Sequence, residues 1–322
     1  MKEVSFIRQN IEKWKFLEKI VDEAAIHDPG VLADAYTQIT TDLSFSRSHF
    51  PNSRITIYLN NLALALHNLL YKNKKEKYSR IITFWTHEIP DVMYHSRKVL
   101  WYSFLVFLIS VTIGVISAAN DDTFVRLILG NGYVDMTLNN IANGTPMAVY
   151  DSTSETPMFF QITINNILVS FVTFVFGIFG NLGTGIVLFR NGVMIGAFQT
   201  FFFQQNVGFE SMLAIWLHGT FEISAIIIAG AAGFAIGNGW LFPGTYSRGY
   251  AFKQGAKRGI KIITGLIPVF ITAGFIESFL TRHTEYPTLL RLLIIMFSLT
   301  CVIYYYIILP KRRYYEKRKA MY

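Results

Sequence analysis

Residues 211–236 read SMLAIWLHGTFEISAIIIAGAAGFAI, and this stretch decides the class of fold. It contains one carboxylate, Glu222, and one histidine, His218, in an otherwise apolar or small-residue run. A helix needs about 20 mostly apolar residues to cross the roughly 30 Å hydrocarbon layer of a bilayer. The stretch therefore predicts a transmembrane helix that carries two ionisable side chains.

Five further apolar runs of similar length occur along the chain. They cover about residues 99–119, 158–179, 184–203, 260–280 and 290–310. The six runs predict an all-α fold, a polytopic membrane helix bundle with six transmembrane helices. The glycine-rich connection at 177–185 is compatible with a plain hairpin or with a partly re-entrant turn.

The N-terminal third of the chain has a different composition. Residues 1–98 carry 14 Lys/Arg and 11 Asp/Glu, as a soluble domain would, and their apolar residues recur at helical spacing. We expect a helical cytoplasmic domain at 1–98 that includes a basic stretch at 71–77 and ends in an interfacial helix. The transmembrane domain then covers 99–310, and 311–322 form a basic cytoplasmic tail.

The loop charges predict the orientation of the bundle. Basic residues precede the first run, fill the fourth loop at 248–261 and fill the tail, whereas loop 120–157 has five acids and one base. Positively charged loops stay in the cytoplasm, so we expect both termini there. The net charge of +8 therefore reflects membrane orientation, and we expect no nucleic-acid partner.

Motifs of soluble enzymes are missing from the sequence. There is no P-loop and no GxSxG, and the glycines at 233–239 end a membrane run instead of following a strand. The single cysteine, Cys301, excludes an intrachain disulfide. We expect no cleavable signal peptide, no cofactor and no catalytic residue, which favours a non-enzymatic role.

Polar side chains inside the apolar runs are the first candidates for function, because they are costly in a bilayer. By depth along the helices, at about 1.5 Å per residue, six of them fall in the outer half of the membrane. They are Asn165, Asn166, Asn191, His218, Glu222 and Glu277.

Three interpretations of this intramembrane polar cluster remain open. It can hold helices together by hydrogen bonds, or form a ligand, ion or proton path. It can also be a metal or catalytic site built on His218, Glu222 and Glu277, with His283 as a weaker candidate. The HExxH spacing of metalloproteases is absent.

Small residues predict close helix packing. The third and fourth runs each contain a GxxxG, a spacing that allows two helix backbones to approach. We expect these two helices to form a tight pair, with self-association as the alternative. The candidate packing glycines are Gly192, Gly196, Gly219, Gly230, Gly233 and Gly237.

The sequence resembles the stage II sporulation protein M family of bacterial membrane proteins. The resemblance is carried by residues 217–222 (LHGTFE), the small residues at 229–233, the asparagines at 165–166 and the stretch 275–279 (FIESF). It implies a multi-pass protein of the bacterial cytoplasmic (inner) membrane. The namesake helps assemble a peptidoglycan-degrading complex during engulfment, as a scaffold and not as the hydrolase.

We therefore expect a non-enzymatic membrane scaffold or assembly factor for cell-envelope machinery. Its partners would be the lipid bilayer, other cell-envelope membrane proteins and a second copy of the chain. The alternatives are a transporter or channel that uses the polar cluster, and an intramembrane metal-dependent enzyme.

Overall fold

The computed structural model describes residues 2–22, 29–70, 79–148, 154–281 and 286–319. The basic stretch at 71–77 and His283 lie outside these residues. The chain divides into two compact units, Met1–Arg80 and Ile81–Tyr322. Within the described residues, all regular structure is helical.

The N-terminal unit contains three helices with a core of their own. They are α1 (Glu3–Asp22), α2 (Pro29–His49) and α3 (Arg54–Leu70). Trp14, fully buried, donates a hydrogen bond from Nε1 to Asp42 Oδ2 at 2.8 Å. Its ring packs near Phe6, while Leu59 and Leu66 complete the apolar centre. The unit therefore buries its apolar stripes internally, as a small soluble helical domain does.

Short helices lead into the first long helix of the membrane bundle, and two more follow it. The lead-in consists of α4 (Ser79–Thr83), a π-helical turn (Phe84–Glu88) and α5 (Ile89–His95); the long helix is α6 (Arg97–Asn120), and the two that follow are α7 (Asp122–Leu129) and α8 (Asn131–Ala142). The two short helices α7 and α8 occupy the predicted outer loop and are joined by an ion pair, Arg126 to Asp135, at 2.7 Å.

The rest of the bundle is built from long helices with irregular turns at their ends. They are α9 (Glu155–Val175), a 3₁₀ turn (Phe176–Phe179), α10 (Gly180–Gln204), α11 (Gly208–Leu241), α12 (Arg248–Phe275), a π-turn (Ile276–Thr281), α13 (Thr288–Ile303), a second π-turn (Tyr304–Ile308) and α14 (Leu309–Lys319). The protein is a helical membrane bundle, as the sequence predicts.

Five continuous helical segments of the described residues are long and apolar enough to cross a membrane. The second of them, Glu155–Gln204, is 50 residues long and reverses direction at Gly180, where φ is +73°. The reversal brings Thr184 back to Thr173, whose carbonyl accepts a 3.0 Å hydrogen bond from the Thr184 hydroxyl. The segment thus holds two helices, α9 and α10, so residues 177–185 form a helical hairpin.

Helix α11 lies at the centre of the bundle, in contact with α6, α9, α10, α12 and α13. Small residues make this position possible: Ala225, Ala229 and Ala232 are fully buried. Alanine and glycine at helix interfaces allow backbones to approach closely. The composition of residues 225–237 therefore explains why five helices can pack around one.

The segment that leads into α6 belongs to the second compact unit, which begins at Ile81. The start of the transmembrane domain near residue 99 stays a prediction. Ile89 and Met93 are buried in the main core of the bundle. Glu88 pairs with Lys261 of α12 at 2.6 Å, and the Tyr305 hydroxyl donates to the Trp85 carbonyl at 2.6 Å. Composition changes later along the chain, because residues 81–98 include charged side chains that lie at the rim of the bundle.

Candidate functional site

Two ionisable side chains project from one face of the central helix. His218 and Glu222 are four residues apart on α11, so they lie one turn apart on the same face. His218 is 4% exposed, and Glu222 is half-buried. The sequence places both residues in an apolar run, and the structure turns them toward neighbouring helices.

The π-turn at Ile276–Thr281 supplies the facing groups. The Nδ1 atom of His218 lies 3.0 Å from the Thr281 hydroxyl oxygen. The Nε2 atom of His218 lies 3.8 Å from Glu277 Oε1. Single π-turns within α-helices often occur at functional sites, and this one carries two residues that meet the histidine.

The hydrogen bonds around Thr281 bear on the tautomer of His218. The Thr281 hydroxyl lies within donor distance of the Ile276 carbonyl, at 3.2 Å. When the hydroxyl donates to that carbonyl, its oxygen accepts the bond from His218, and the neutral imidazole carries its proton on Nδ1. In the neutral imidazole, the lone pair then lies on Nε2, the atom nearer to Glu277.

Helix α9 contributes the fourth member of the group. The amide nitrogen of Asn166 donates to Glu222 Oε1, which orients that carboxylate. One ligand atom from each of His218, Glu222 and Glu277 can be chosen so that the three lie within 4.8 Å of one another. The structure thus brings His218, Glu222, Glu277 and Asn166 together. We call the first three residues the His–Glu–Glu cluster, and Asn166 is its asparagine.

Two of the six sequence-predicted residues lie elsewhere. Asn165 is on the exposed side of α9, because adjacent residues on a helix point about 100° apart. Asn191 donates to the Val187 carbonyl of its own helix at 2.8 Å. With Arg190, it lines a different cavity of about 670 Å³ between α7, α9 and α10.

A row of polar residues continues from the cluster along α9. Thr163, Asn166, Ser170 and Thr173 recur at spacings of three and four, which places them on one helix face. The hydroxyl oxygens of Thr163 and Ser170 are buried and have no hydrogen-bond partner among the described residues. The same holds for Ser278 in the π-turn. Unsatisfied buried hydroxyls are rare enough to mark a place where another group can bind.

The electrostatics of the cluster limit what it can hold. Two carboxylates and an imidazole lie together within an apolar bundle, where an uncompensated charge is costly. Two adjacent ionised carboxylates repel each other strongly in such surroundings. The arrangement is therefore suited to bind a compensating cation, either a proton or a metal ion.

The candidate packing glycines do not all face the same helix. Gly192 and Gly196 lie against α6, where a Cβ at Gly196 would be 2.3 Å from the Val111 carbonyl oxygen. Gly230 faces both α6 and α10, Gly233 faces α9 and α10, and Gly237 faces α10. Gly219 meets only side chains of its own helix.

The glycines therefore mediate two contacts: the expected one between the third and fourth helices, and another between the third helix and α6. The GxxxG of α10 packs on the first membrane helix, α6, and the glycines of α11 face α10. A GxxxG predicts a close approach, but it does not identify the partner helix, and this is why sequence reasoning paired the two motifs with each other.

The fold and its buried polar cluster define a polytopic α-helical membrane protein. The model of the family "Stage II sporulation protein M" matches residues 103–282, more than half of the chain. The protein belongs to this family. The match contains the whole His–Glu–Glu cluster and its asparagine, and it ends before α13.

A second family model matches the N-terminal unit. It is described as "Domain of unknown function (DUF8413)" and covers residues 4–72. No curated protein and no solved structure matches the chain significantly.

Proposed function

We propose that the protein is a non-enzymatic scaffold of the bacterial cytoplasmic membrane that assembles cell-envelope machinery of the peptidoglycan-remodelling type. The observation that carries the proposal is the packing of α11. Added Cβ atoms at Gly233 and Gly237 would lie 2.2 Å and 2.3 Å from side chains of α10. A bundle whose central helix leaves no room for an added methyl group at these positions suits a rigid platform whose outer helices contact partners.

Family membership supports the same role, because the family is named for a stage of sporulation, a process that remodels the cell envelope. The N-terminal unit has its own buried core and its own family match. A separate helical unit attached to a membrane bundle gives a scaffold a second surface for partners, on the side of the membrane where the N-terminus lies.

Partner capture in native membranes tests the proposal. The C-terminus is tagged, proteins are crosslinked in intact cells, and co-purifying proteins are quantified for the wild type and for Glu222→Gln. The matched control is Asn165→Ala, which changes an exposed polar residue of the same bundle. We expect stoichiometric recovery of envelope proteins with the wild type and with Asn165→Ala. Recovery of the chain alone, or only of its own oligomers, contradicts the scaffold.

The orientation of the bundle is a part of the proposal with its own test. The basic residues at 248–261, which form the start of α12, and the basic tail support cytoplasmic termini. Single cysteines are introduced at the exposed positions 132 and 245 in a Cys301→Ser background. In intact cells, a membrane-impermeant thiol reagent should label position 132 and spare position 245. The reverse pattern would place both termini outside.

A transporter or channel is the second candidate, and the polar row on α9 is the observation that favours it. Buried hydroxyls at 163 and 170 lie on either side of Asn166 along α9, and only Ser170 lies toward the hairpin. Reconstituted vesicles discriminate the two functions. Solute or ion flux that Glu222→Gln abolishes and Asn165→Ala leaves unchanged would support transport and end the scaffold proposal.

A further inference from the structure

The strongest unassigned site in the molecule is the group of three donors formed by α11 and the π-turn. We propose that His218, Glu222 and Glu277 bind one divalent transition-metal ion of the zinc class, which ties the central helix to the end of α12. The proposal concerns a metal site that joins two helices, and it is independent of the scaffold function.

The donor separations suit a shared metal ion. The three ligand atoms lie within 4.8 Å of one another, and Nε2 of His218 is 3.8 Å from Glu277 Oε1. Ligands of Zn²⁺ lie about 2.0–2.2 Å from the metal, so two of them stand roughly 3.3 Å apart in a tetrahedron. Side-chain shifts of about 1 Å, well within rotamer adjustment, would complete the coordination.

The hydrogen bonds of His218 are compatible with the tautomer that a metal requires. A metal binds the imidazole nitrogen that carries the lone pair, while the other nitrogen donates to an oriented acceptor. Here Nδ1 donates to Thr281 when the Thr281 hydroxyl donates to the Ile276 carbonyl. The lone pair on Nε2 then faces the side of the histidine where Glu277 lies.

The carboxylates have a similar supporting contact. Asn166 donates its amide proton to one oxygen of Glu222, which leaves the second oxygen as a ligand. Thr281 and Asn166 thus support a histidine and a carboxylate from outside the coordination shell, an arrangement typical of metal sites.

Charge and ligand type select the class of ion. One neutral imidazole, two carboxylates and one divalent ion sum to zero charge, which the apolar interior of a bundle requires. An imidazole donor favours zinc, iron, nickel or copper, whereas magnesium, calcium and manganese prefer oxygen ligands. Three protein ligands leave a fourth position open for water.

The first experiment measures metal in the intact protein. The full chain is purified in detergent with a tag that contains no histidine, and its metal content is measured by inductively coupled plasma mass spectrometry. We expect about one zinc-class ion per chain in the wild type. His218→Asn, Glu222→Gln and Glu277→Gln should each lose most of it, while Asn165→Ala should keep it.

A second measurement does not depend on the ligand variants folding. Wild-type protein is stripped with a chelator and titrated with Co²⁺, whose visible absorption reports coordination by nitrogen and oxygen ligands. Metal addition should raise the unfolding temperature of the stripped protein, because the ion binds only the folded site. Thr281→Val and Asn166→Leu should weaken affinity about 10- to 100-fold.

Two results would overturn the site. One is wild-type protein that carries no stoichiometric metal and neither binds Co²⁺ nor gains thermal stability from Zn²⁺. The other is stoichiometric metal that persists in all three ligand variants. Partner capture and metal content are read on separate samples, so failure of the scaffold proposal leaves this test intact.

Discussion

Helix α11 and the last apolar segment, residues 288–319, have opposite environments although both are apolar enough to cross a membrane. In the most apolar 18-residue window of each, 72% of the residues are buried for α11 and 11% for the last segment. The side chains account for the difference. The α11 interface is rich in alanine and glycine, whereas α13 carries large exposed residues such as Leu293 and Phe297.

The contrast shows that apolar composition predicts whether a helix enters the membrane, while small residues predict whether it lies at the centre of the bundle. Lipid tails are as apolar as leucine, so no hydrophobic force drives one membrane helix against another. Association depends on close packing and on hydrogen bonds. The family match also ends before α13, which places the central helix, and not the peripheral one, within the shared part of the family.

The largest expected effect comes from shortening one leucine to alanine on each of the two helices. Leu217 of α11 is 2% exposed, and Leu293 of α13 is 58% exposed. Leu217→Ala leaves a cavity and should lower the free energy of unfolding by about 2–5 kcal/mol. Leu293→Ala should change it by about 0.5 kcal/mol or less, because lipid refills the space. Equilibrium unfolding in mixed micelles measures both, and equal losses would break the comparison.

A second pair of variants sharpens the comparison within α11 itself. A Cβ at Gly233 would lie 2.2 Å from Thr184 Oγ1 and 2.7 Å from the Thr173 carbonyl oxygen, whereas one at Gly219 would make only ordinary contacts at 3.7 Å or more. Gly233→Ala should therefore destabilise the protein by about 1–3 kcal/mol.

Gly219→Ala is the matched control and should have the opposite sign. Alanine is a better helix former than glycine, so the variant should gain up to about 1 kcal/mol. The same unfolding assay reads both variants. A loss at Gly219 as large as that at Gly233 would mean that any added methyl on α11 is harmful, and that close approach to α9 and α10 is not the cause.

The smallest expected effect concerns hydroxyl groups. Ser103 donates to the Ile227 carbonyl of α11 at 2.6 Å, whereas Thr300 of α13 bonds only the Met296 carbonyl of its own helix at 2.9 Å. Ser103→Ala should cost about 0.6 kcal/mol, the average for hydrogen bonds between membrane helices. Thr300→Ala should cost less. If the two losses are indistinguishable, the hydrogen bond from Ser103 to α11 contributes no more to the free energy of unfolding than a bond within one helix.

Much of the fold follows from the sequence, because membrane insertion is a matter of length and composition. The helical bundle is as predicted, and the glycine-rich residues 177–185 resolve into the hairpin, one of the two predicted alternatives. The boundary of the N-terminal unit was harder to predict, since Ile89 and Met93 lie in a charged stretch yet pack into the bundle core.

The candidate site was predictable only in part, and the reasons are geometric. Depth along a helix places His218, Glu222 and Glu277 in the outer half of the membrane, but it does not give the rotation of each side chain about its helix axis. Asn165 and Asn166 are neighbours in sequence and point in different directions, so only one of them reaches Glu222. The sequence did not indicate Thr281, because no sequence signal predicts a π-turn. The spacing of four residues between Glu277 and Thr281 is nevertheless one that brings two side chains near each other on a helix.

The π-turn at Ile276–Thr281 also has a consequence for how this part of the chain tolerates changes in length. A π-turn contains about one residue more than the α-turn it replaces. Removing a single residue there, for example Phe279, would let an α-turn replace the π-turn and keep Thr281 close to its present rotation about the axis of α12. Removing one residue from the α-helical part of α12 before Ile276 would instead rotate both Glu277 and Thr281 by roughly 100° relative to the start of that helix. The π-turn is thus the part of this helical segment where the loss of one residue should least disturb the contact between His218 and its hydroxyl partner.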